Sequence, residues 1–210
     1  MPPPKAVILD RDGTLIDVVR HHETGVITVA FHPCHLRLLP GVLEGLELLV
    51  SAGYVLGVAT NQPGPAKGQF PVSAVEATNQ ALSGLLEARG IPIAAFEVCL
   101  HHPDGGPGGD PALRQHCSCR KPKPGLLQRV LRNTGVAPDR AWMIGDSPSD
   151  VEAAHAAGVR VALLFPRDRC ELCPLRDGPS VRPDLSGARL DQLARAIIDH
   201  DASACSGSSG

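Results

Sequence analysis

The sequence predicts an α/β protein with a Rossmann-like, doubly wound parallel sheet, because short apolar runs alternate with segments of helical periodicity. The apolar runs are continuous, which is typical of parallel strands that are covered by helices on both faces. A glycine follows each of the clearest helical segments, where a left-handed terminating residue is expected. In sheets of this class, ligands bind where the carboxyl ends of the strands meet at a change in strand order.

The predicted elements alternate in a regular order along the chain. The predicted strands are the apolar runs at 6–9, 54–59, 96–100, 141–144 and 159–165. The predicted helices are the segments at 42–52, 72–89, 125–134, 148–157 and 190–200. Residues 18–39 lack helical periodicity and are expected to form a loop or small hairpin over the strand ends. Residues 166–187 are rich in Arg, Asp, Pro and Gly and are expected to be irregular.

The length of 210 residues corresponds to one generous domain. We expect residues 1–200 to form this domain, with a small loop at 99–119. No segment between the motifs described below is long enough for a large cap domain. Residues 201–210 are rich in small and polar residues and are expected to form a flexible tail.

The composition narrows the choice of partners. The formal net charge of −2 argues against a sequence-independent nucleic-acid binder, which needs a basic surface. Aromatic residues make up only 3% of the chain, so no platform for stacking bases is expected. No apolar segment approaches the length of a membrane span. We therefore expect a cytoplasmic monomer that acts on a small molecule.

Two carboxylates, Asp10 and Asp12, stand one residue apart directly after the first apolar run. Side chains alternate along a strand, so the two carboxylates are expected to point the same way. Gly13 permits a tight departure of the backbone, and Thr14 adds a hydroxyl that is expected to bind substrate. Two anions held this close repel each other, so a cation or a proton is expected between them.

Further polar groups follow two other predicted strands and a glycine-rich loop. Thr60, Asn61 and Gln62 follow the strand at 54–59, and Gly145 and Asp146 follow the strand at 141–144. Arg120 and Lys121 lie between these two groups in the sequence. Because the carboxyl ends of parallel strands share one edge of the sheet, these groups are expected to converge there.

These residue types suit phosphoryl transfer. Asp10 can attack phosphorus and form an aspartyl-phosphate, and Asp12 can donate a proton to the leaving alkoxide and later accept one from water. Thr60 and Lys121 can bind the non-bridging phosphate oxygens. Mg²⁺ is expected to be held by Asp10, Asp146 and Asp12, the last through a nearby backbone carbonyl. Asn61 and Gln62 are expected to bind substrate.

Each of these residues also has a plain structural interpretation. Thr60 alone is consistent with a turn hydroxyl, and Lys121 alone with a solvated charge. Ser147 and Asp150 stand at the spacing of a capping box, which would account for the acidic residues after the strand at 141–144. The functional interpretation depends on all the groups occurring together and in this order.

Two cysteine-containing pairs predict a zinc site. Cys99 and His101 form the first pair, and Cys117 and Cys119 form the second. Three thiolates and one imidazole suit a closed tetrahedral Zn²⁺ site with a structural role. Free buried thiols are the alternative. A second cysteine pair, at 170 and 173, has no partner pair in the sequence and is expected to lie in a surface loop.

The motifs at 10–14, 60–62, 120–122 and 145–150 together resemble those of the haloacid dehalogenase superfamily of phosphatases. The cysteine pairs make the chain most similar to the small zinc-containing bacterial members of that superfamily. The resemblance implies that Asp10 is the nucleophile, that Asp12 is the general acid and base, and that Asp146 is a magnesium ligand. It also implies that Lys121 stabilises the phosphate and that Arg120 recognises the substrate.

The resemblance implies a magnesium-dependent phosphomonoesterase that removes the 7-phosphate of D-glycero-D-manno-heptose 1,7-bisphosphate. Histidinol phosphate is the alternative substrate. Two alternatives belong to other classes: a receiver-like module that accepts a phosphoryl group on an aspartate, and a zinc-stabilised binding protein without catalysis. Receivers place an acidic pair first and the accepting aspartate on a later strand, whereas this chain opens with the Asp-x-Asp-Gly-Thr motif.

Overall fold

Strands of a central parallel sheet alternate with helices in the computed structural model, which describes residues 3–21, 23, 25–165 and 182–206. The strands are β1 (Lys5–Leu9), β2 (Val19–His21), β3 (Val26–Thr28), β4 (Tyr54–Asn61), β5 (Ile93–Cys99), β6 (Ala141–Gly145), β7 (Arg160–Leu164) and β8 (Leu185–Gly187). The helices are α1 (Val42–Ser51), α2 (Val72–Glu87), α3 (Gly125–Thr134), α4 (Pro148–Ala157) and α5 (Leu190–Ser206). The α/β class and the principal predicted elements are therefore confirmed.

The strand order of the sheet is β5-β4-β1-β6-β7-β8, and all neighbouring pairs are parallel. The chain moves outward from β1 through β4 to β5 and then returns to the other side of β1 as β6. The change in strand order therefore lies between β1 and β6. The carboxyl ends of these two strands carry the polar motifs at 10–14 and 145–150.

Side chains of β1 alternate between two hydrophobic cores, one on each face of the sheet. Val7 and Leu9 belong to the core that α1, α2 and α5 cover, and Ala6 and Ile8 belong to the core that α3 and α4 cover. All four side chains are fully buried. Burial on both faces explains why the sequence of this strand is continuously apolar.

The segment after β1 forms a small hairpin. β2 and β3 pair antiparallel within the predicted loop at 18–39, and a 3₁₀ turn follows at Pro33–His35. This hairpin lies between β1 and α1 and forms a separate two-stranded sheet. The described part of the chain contains no large cap domain.

Two features at the carboxyl end of the chain differ from the expectation. β8 forms at Leu185–Gly187, within the stretch expected to be irregular, and pairs with β7. α5 continues to Ser206, past the end of the predicted helix and into the expected tail. Asp201 anchors this extra turn, because its carboxylate accepts hydrogen bonds from Tyr54 and Trp142 of the sheet. The cysteines at 170 and 173, and residues 207–210, lie outside the described residues.

None of the helices in the described ranges has the length and apolar character that crossing a bilayer requires.

Candidate active site

Lys121 occupies the centre of a buried charged cluster at the carboxyl ends of β1 and β4. Its Nζ donates to Asp10 Oδ1 at 2.8 Å and to Asp150 Oδ1 at 2.6 Å. A third hydrogen bond, of 2.8 Å, goes to the carbonyl of Ala59 in β4. Lys121 is 4% exposed and Asp150 is fully buried. The ammonium thus ties β1, β4 and α4 together at the change in strand order.

Burial and charge shift the pKa values in this cluster. Burial raises the pKa of Asp10 to about 6, against the opposing attraction of Lys121, and the charge of Asp150 raises it further. Burial would lower the pKa of Lys121, but the carboxylates of Asp10 and Asp150 outweigh it and raise the pKa above its ordinary value. At neutral pH, Lys121 is therefore a cation and Asp10 is largely an anion.

Asp150 has two roles: it caps a helix, as the sequence pattern predicts, and it belongs to the charged cluster. Its Oδ2 accepts hydrogen bonds from the backbone N–H of Ser147 at 3.1 Å and from Ser147 Oγ at 2.6 Å, at the start of α4. Its Oδ1 accepts from Lys121. The same carboxylate therefore caps α4 and holds the buried lysine, a contact that sequence reasoning missed.

Three carboxylates converge where a divalent cation would fit. Oxygens of Asp10, Asp146 and Asp150 lie within 4.8 Å of one another. Gly13 makes room for this arrangement, because a Cβ at position 13 would overlap the carboxylate of Asp146. Hard carboxylate oxygens are the ligands that Mg²⁺ prefers. The donor set therefore fits magnesium.

Asp12, the other predicted magnesium residue, has a side chain that faces a different set of groups. Its Oδ2 accepts from Arg11 Nε at 2.9 Å and from Gln62 Nε2 at 2.6 Å. Its Oδ1 accepts from the backbone N–H of Ala30 at 3.0 Å. The group of three converging carboxylates does not include Asp12. Its carboxylate is instead held by donors.

The polar residues after β4 contact the protein itself. Gln62 is fully buried, and its Nε2 donates to Thr60 Oγ1 at 3.0 Å as well as to Asp12. Asn61 forms two hydrogen bonds of 3.0 Å with the backbone N–H and carbonyl of Lys121. These amides, predicted to bind substrate, thus orient residues 12, 60 and 121.

Thr14 and Gln62 each have one buried side-chain oxygen that lacks a partner within the described ranges. Thr14 Oγ1 and Gln62 Oε1 have no hydrogen-bond partner among the described residues. A buried polar atom without a partner is costly, so these oxygens mark places where a bound group or water would be stabilised.

A positively charged rim, formed by Arg120 and Lys67, lies beside the loop at residues 99–119, which we call the zinc loop. Arg120 Nη1 approaches the carbonyl of His101 at 3.5 Å. Partial burial lowers the pKa of His102, and the nearby charges of Lys67 and Arg120 lower it further. Lys67 and Arg120 therefore lie close enough to act on one imidazole. Their combined charge suits an anionic group at this edge.

The predicted zinc residues come together in space. Cys99 Sγ lies 3.7 Å from Cys117 Sγ and 3.1 Å from Cys119 Sγ. His101 Nδ1 lies 3.8 Å from Cys99 Sγ and 3.4 Å from Cys119 Sγ. Tetrahedral Zn²⁺ with Zn–S bonds of about 2.3 Å requires thiolates roughly 3.8 Å apart. The four side chains therefore could hold zinc with small adjustments.

The thiols influence one another strongly. Burial raises the pKa of Cys99 above its ordinary value, and it also raises that of Cys119. Cys117 shows the opposite result: burial would raise its pKa, but hydrogen bonds from the backbone of Arg120 and from neighbouring side chains lower it to about 6. Zinc requires thiolates, so metal binding would displace the protons that Cys99 and Cys119 retain.

The segment between the two zinc pairs packs on the loop that follows β4. The backbone N–H of Asp110 donates to the carbonyl of Pro65 at 3.1 Å. A Cβ at Gly109 would overlap the carbonyl of Ala66, so the two backbones are in direct contact. The zinc loop therefore supports the loop that begins at residues 60–62.

Comparisons with known proteins agree with this geometry. A family model described as HAD-hydrolase-like matches residues 118–185. A D-glycero-beta-D-manno-heptose-1,7-bisphosphate 7-phosphatase of Pseudomonas putida is 33% identical over 160 residues, which span 76% of this chain and 82% of that relative. The enzyme of the same name from Escherichia coli K12 is 30% identical over 195 residues, or 92% of this chain and 90% of the relative.

Solved structures show the same similarity. A D,D-heptose 1,7-bisphosphate phosphatase from B. bronchiseptica, complexed with magnesium and phosphate, superposes with a TM-score of 0.74 at 27% identity. The match covers 93% of this chain and 99% of that one. A putative HAD-like phosphatase from Mesorhizobium loti gives a TM-score of 0.71 at 27% identity and covers 95% and 88% of the two chains.

Proposed function

The chain belongs to the haloacid dehalogenase-like phosphatases, and from this membership we propose that it removes the 7-phosphate of D-glycero-D-manno-heptose 1,7-bisphosphate. The observation that carries the proposal is the position of Asp10. It lies at the change in strand order and is paired with the buried Lys121, and it converges with Asp146 and Asp150. Relatives at 30–33% identity that carry this activity support the choice of substrate.

In the first step, a carboxylate oxygen of Asp10 attacks the phosphorus atom, and the bond to the sugar oxygen breaks. The leaving oxygen takes a proton from Asp12, so the sugar 1-phosphate departs with a neutral hydroxyl group at the cleaved position. An aspartyl-phosphate remains on Asp10. Because Asp10 has a pKa of about 6 before any metal binds, it is largely ionised at neutral pH and able to attack.

In the second step, Asp12 takes a proton from water while the water oxygen attacks the phosphorus atom. The bond between phosphorus and Asp10 breaks, inorganic phosphate leaves, and Asp12 regains its proton for the next turnover. The donors around Asp12, from Arg11, Gln62 and Ala30, hold its carboxyl in place for both steps.

Charge on the phosphoryl group is matched by fixed groups of the chain. Lys121 carries a proton throughout, since its pKa lies above the ordinary value, and Thr60, which follows the Ala59 carbonyl that Lys121 contacts, offers a hydroxyl. Asp10, Asp146 and Asp150 would hold Mg²⁺, which when bound neutralises the phosphate charge and favours the ionised form of Asp10.

A second phosphate explains the choice of a bisphosphate over histidinol phosphate. Arg120 and Lys67 form the positive rim beside His102, and a guanidinium binds phosphate in a bidentate manner. Histidinol phosphate brings a cationic amine to the same rim, which is a poor match. We therefore propose that the phosphate that is not hydrolysed binds at Arg120.

The zinc loop is proposed to act on structure and not on chemistry. Three cysteines and a histidine give a closed ligand set with no position for substrate. Cys119 directly precedes Arg120 and Lys121 in the sequence, so a metal at this point would fix the segment from which both cations reach the site.

Side-by-side kinetics test the proposed substrate. We expect kcat/KM for the heptose bisphosphate to exceed that for histidinol phosphate by at least about tenfold, and Arg120→Ala to remove most of that difference. Lys5→Ala, at the opposite end of β1, is the control and should leave the ratio unchanged. A higher kcat/KM for histidinol phosphate, or an equal loss on every phosphomonoester in Arg120→Ala, would contradict the choice of substrate.

Repeated turnover separates an enzyme from the alternatives. A receiver-like module or a binding protein would release at most one phosphate per chain, whereas a phosphatase releases many.

The monomeric state, the cytoplasmic location and the absence of nucleic-acid and membrane partners stay predictions from the sequence. Sedimentation of the purified chain would test the first of them.

A further inference from the structure

Arg11 lies between the two catalytic aspartates in the sequence, but its guanidinium is completely buried. Nε donates to Asp12 Oδ2 at 2.9 Å, and Nη2 approaches Asp12 Oδ1 at 3.3 Å. Nη2 also donates to the carbonyl of Ala30 at 2.7 Å, and Nη1 donates to Asn79 Oδ1 at 2.5 Å. The fork of the guanidinium is therefore matched by acceptors from three separate segments.

The peptide groups of Ala30 complete a closed ring with these two side chains. The carbonyl of Ala30 accepts from Arg11, and its N–H donates to Asp12 Oδ1 at 3.0 Å. Asp12 thus accepts from Arg11 and from a backbone that Arg11 itself holds. Rotation of the Asp12 carboxyl would break bonds on both of its oxygens.

Burying an arginine is expensive, and full burial is rare unless the charge is paired and hydrogen bonded. A shorter apolar side chain would fill this space without desolvating a charge. The cost indicates that the guanidinium has a use beyond packing. Its partners, the carboxyl of Asp12 and the loop that follows β3, indicate which use.

We propose that Arg11 is a positioning residue that holds the carboxyl of Asp12 in the orientation needed to protonate the leaving group. The inference rests on the proposed function, in which Asp12 is the general acid. The proton moves from Asp12 to the departing oxygen as the bond to phosphorus breaks. Arg11 binds the carboxyl group and takes no part in the proton transfer itself.

The proposal also connects the acid to the segment after the hairpin. Ala30 lies two residues after the end of β3, and Asn79 lies on α2. Arg11 contacts both, so a displacement of the loop at Ala30 would be transmitted to Asp12. A lysine at position 11 has no planar fork and would reach only part of this set.

The test compares leaving groups that differ in their need for a proton. p-Nitrophenyl phosphate releases a stable phenolate that needs no acid, whereas the heptose bisphosphate releases an alkoxide that does. The parameter kcat/KM covers the steps up to departure of the leaving group, so it isolates this proton transfer from the later hydrolysis of the aspartyl-phosphate.

We expect Arg11→Met to lower kcat/KM on the heptose bisphosphate by about 10²-fold and on p-nitrophenyl phosphate by less than about threefold. Arg11→Lys should give an intermediate loss with the same selectivity. Arg132→Met, which changes an exposed arginine of α3, is the matched control and should alter neither value.

Asn79→Ala keeps the test usable if Arg11→Met does not fold. It leaves the buried arginine in place but removes its anchor on α2, so a smaller loss confined to the heptose bisphosphate is expected. Equal losses on both substrates in Asn79→Ala and in Arg11→Lys would overturn the inference, because a purely structural role weakens both reactions alike.

The two proposals fail in different ways. A wild-type chain that hydrolyses neither ester contradicts both the phosphatase activity and the inference about Arg11. An active wild type whose Arg11 variants lose both reactions equally contradicts the inference alone. A wild type that hydrolyses p-nitrophenyl phosphate but not the heptose bisphosphate contradicts the substrate, and glycerol 2-phosphate then takes its place as the alkyl ester for the same comparison.

Discussion

The carboxylate of Asp146 lies against the Cα of Gly13, in the space that a side chain at position 13 would occupy. Gly13 also has a φ of 83°, in the left-handed region that favours glycine. A glycine is therefore required at this position for two separate reasons. Both concern the loop that carries the aspartates at 10 and 12 past the end of β6.

Gly13→Ala is expected to displace Asp146 and to weaken magnesium binding by about 10- to 100-fold, the range typical of disturbed metal surroundings. Turnover should fall with it at limiting Mg²⁺. Titration calorimetry with MgCl₂ measures the first effect. Gly53→Ala is the matched control, since Gly53 has a φ of 79° but a Cβ there would meet nothing within 4 Å. Equal magnesium affinities in the two variants would contradict the role of Gly13.

Asp10→Asn is expected to abolish turnover without unfolding the chain, because an amide can neither attack phosphorus nor bind Mg²⁺ as an anion. Asp12→Asn should slow the reaction by roughly 10²- to 10⁴-fold, the contribution typical of a general acid. Phosphate release measures both, and Asp139→Asn, an exposed carboxylate after α3, should behave as the wild type. Near-normal turnover in Asp10→Asn would rule out the nucleophile.

Lys121→Met is expected to destabilise the chain by about 3–5 kcal/mol, because it leaves the buried carboxylate of Asp150 without its cation. Lys121→Arg should not restore the stability, since Asp10, Asp150 and the carbonyl of Ala59 all accept from a single nitrogen, and a guanidinium spreads its donors over a planar fork. Urea unfolding in magnesium-free buffer measures both. A Lys121→Met variant as stable as the wild type would show that the ammonium is not needed to compensate the buried anions.

Much of this arrangement could be predicted from the sequence because it depends on local pattern. The apolar run of β1 and the glycine after α3 mark elements whose bounds are set by burial and by backbone conformation. The four residues of the zinc cluster were predicted because cysteine and histidine at this close spacing are typical of a metal site.

Contacts between distant segments could not be predicted in the same way. Asp150 satisfies a capping pattern in the sequence, and nothing local indicates that its second oxygen holds Lys121. Arginine is a residue type that usually lies on the protein surface. The burial of Arg11 depends on contacts with Ala30 and Asn79, which are distant in the sequence and are brought to it by the fold. Contacts of this kind can be identified only from the three-dimensional structure, in which the topology brings distant segments together.

Magnesium affinity is expected to depend on pH through Asp10. Burial raises the pKa of this carboxyl to about 6, so below that pH a proton competes with the metal. The affinity should fall by up to about tenfold per pH unit below 6 and be level at higher pH. Calorimetric titrations at several pH values test this, and a constant affinity on both sides of pH 6 would contradict it.

Stability without magnesium should change with pH in the opposite direction. The folded chain holds a proton on Asp10 that the unfolded chain has already lost, so the contribution of this group is present at low pH and is lost as the pH rises through about 6. Asp10→Asn should therefore gain stability over the wild type as the pH increases. A difference between the two that stays the same from pH 5 to pH 7 would contradict the raised pKa.

Cys117→Ser is expected to abolish zinc binding and to loosen the segment that packs on the loop after β4. Removing one of the four ligands opens the metal site. The segment that contains Asp110 is then no longer fixed by zinc at both ends, and only contacts such as the hydrogen bond from Asp110 to Pro65 hold it in place. Elemental analysis should find about one zinc per wild-type chain and none in the variant, and amide exchange should be faster between the two cysteine pairs. Cys34→Ser, at an exposed cysteine outside the cluster, is the control and should keep its zinc. Slow exchange in a zinc-free variant would show that the loop is held by its packing on the loop after β4 and not by the metal.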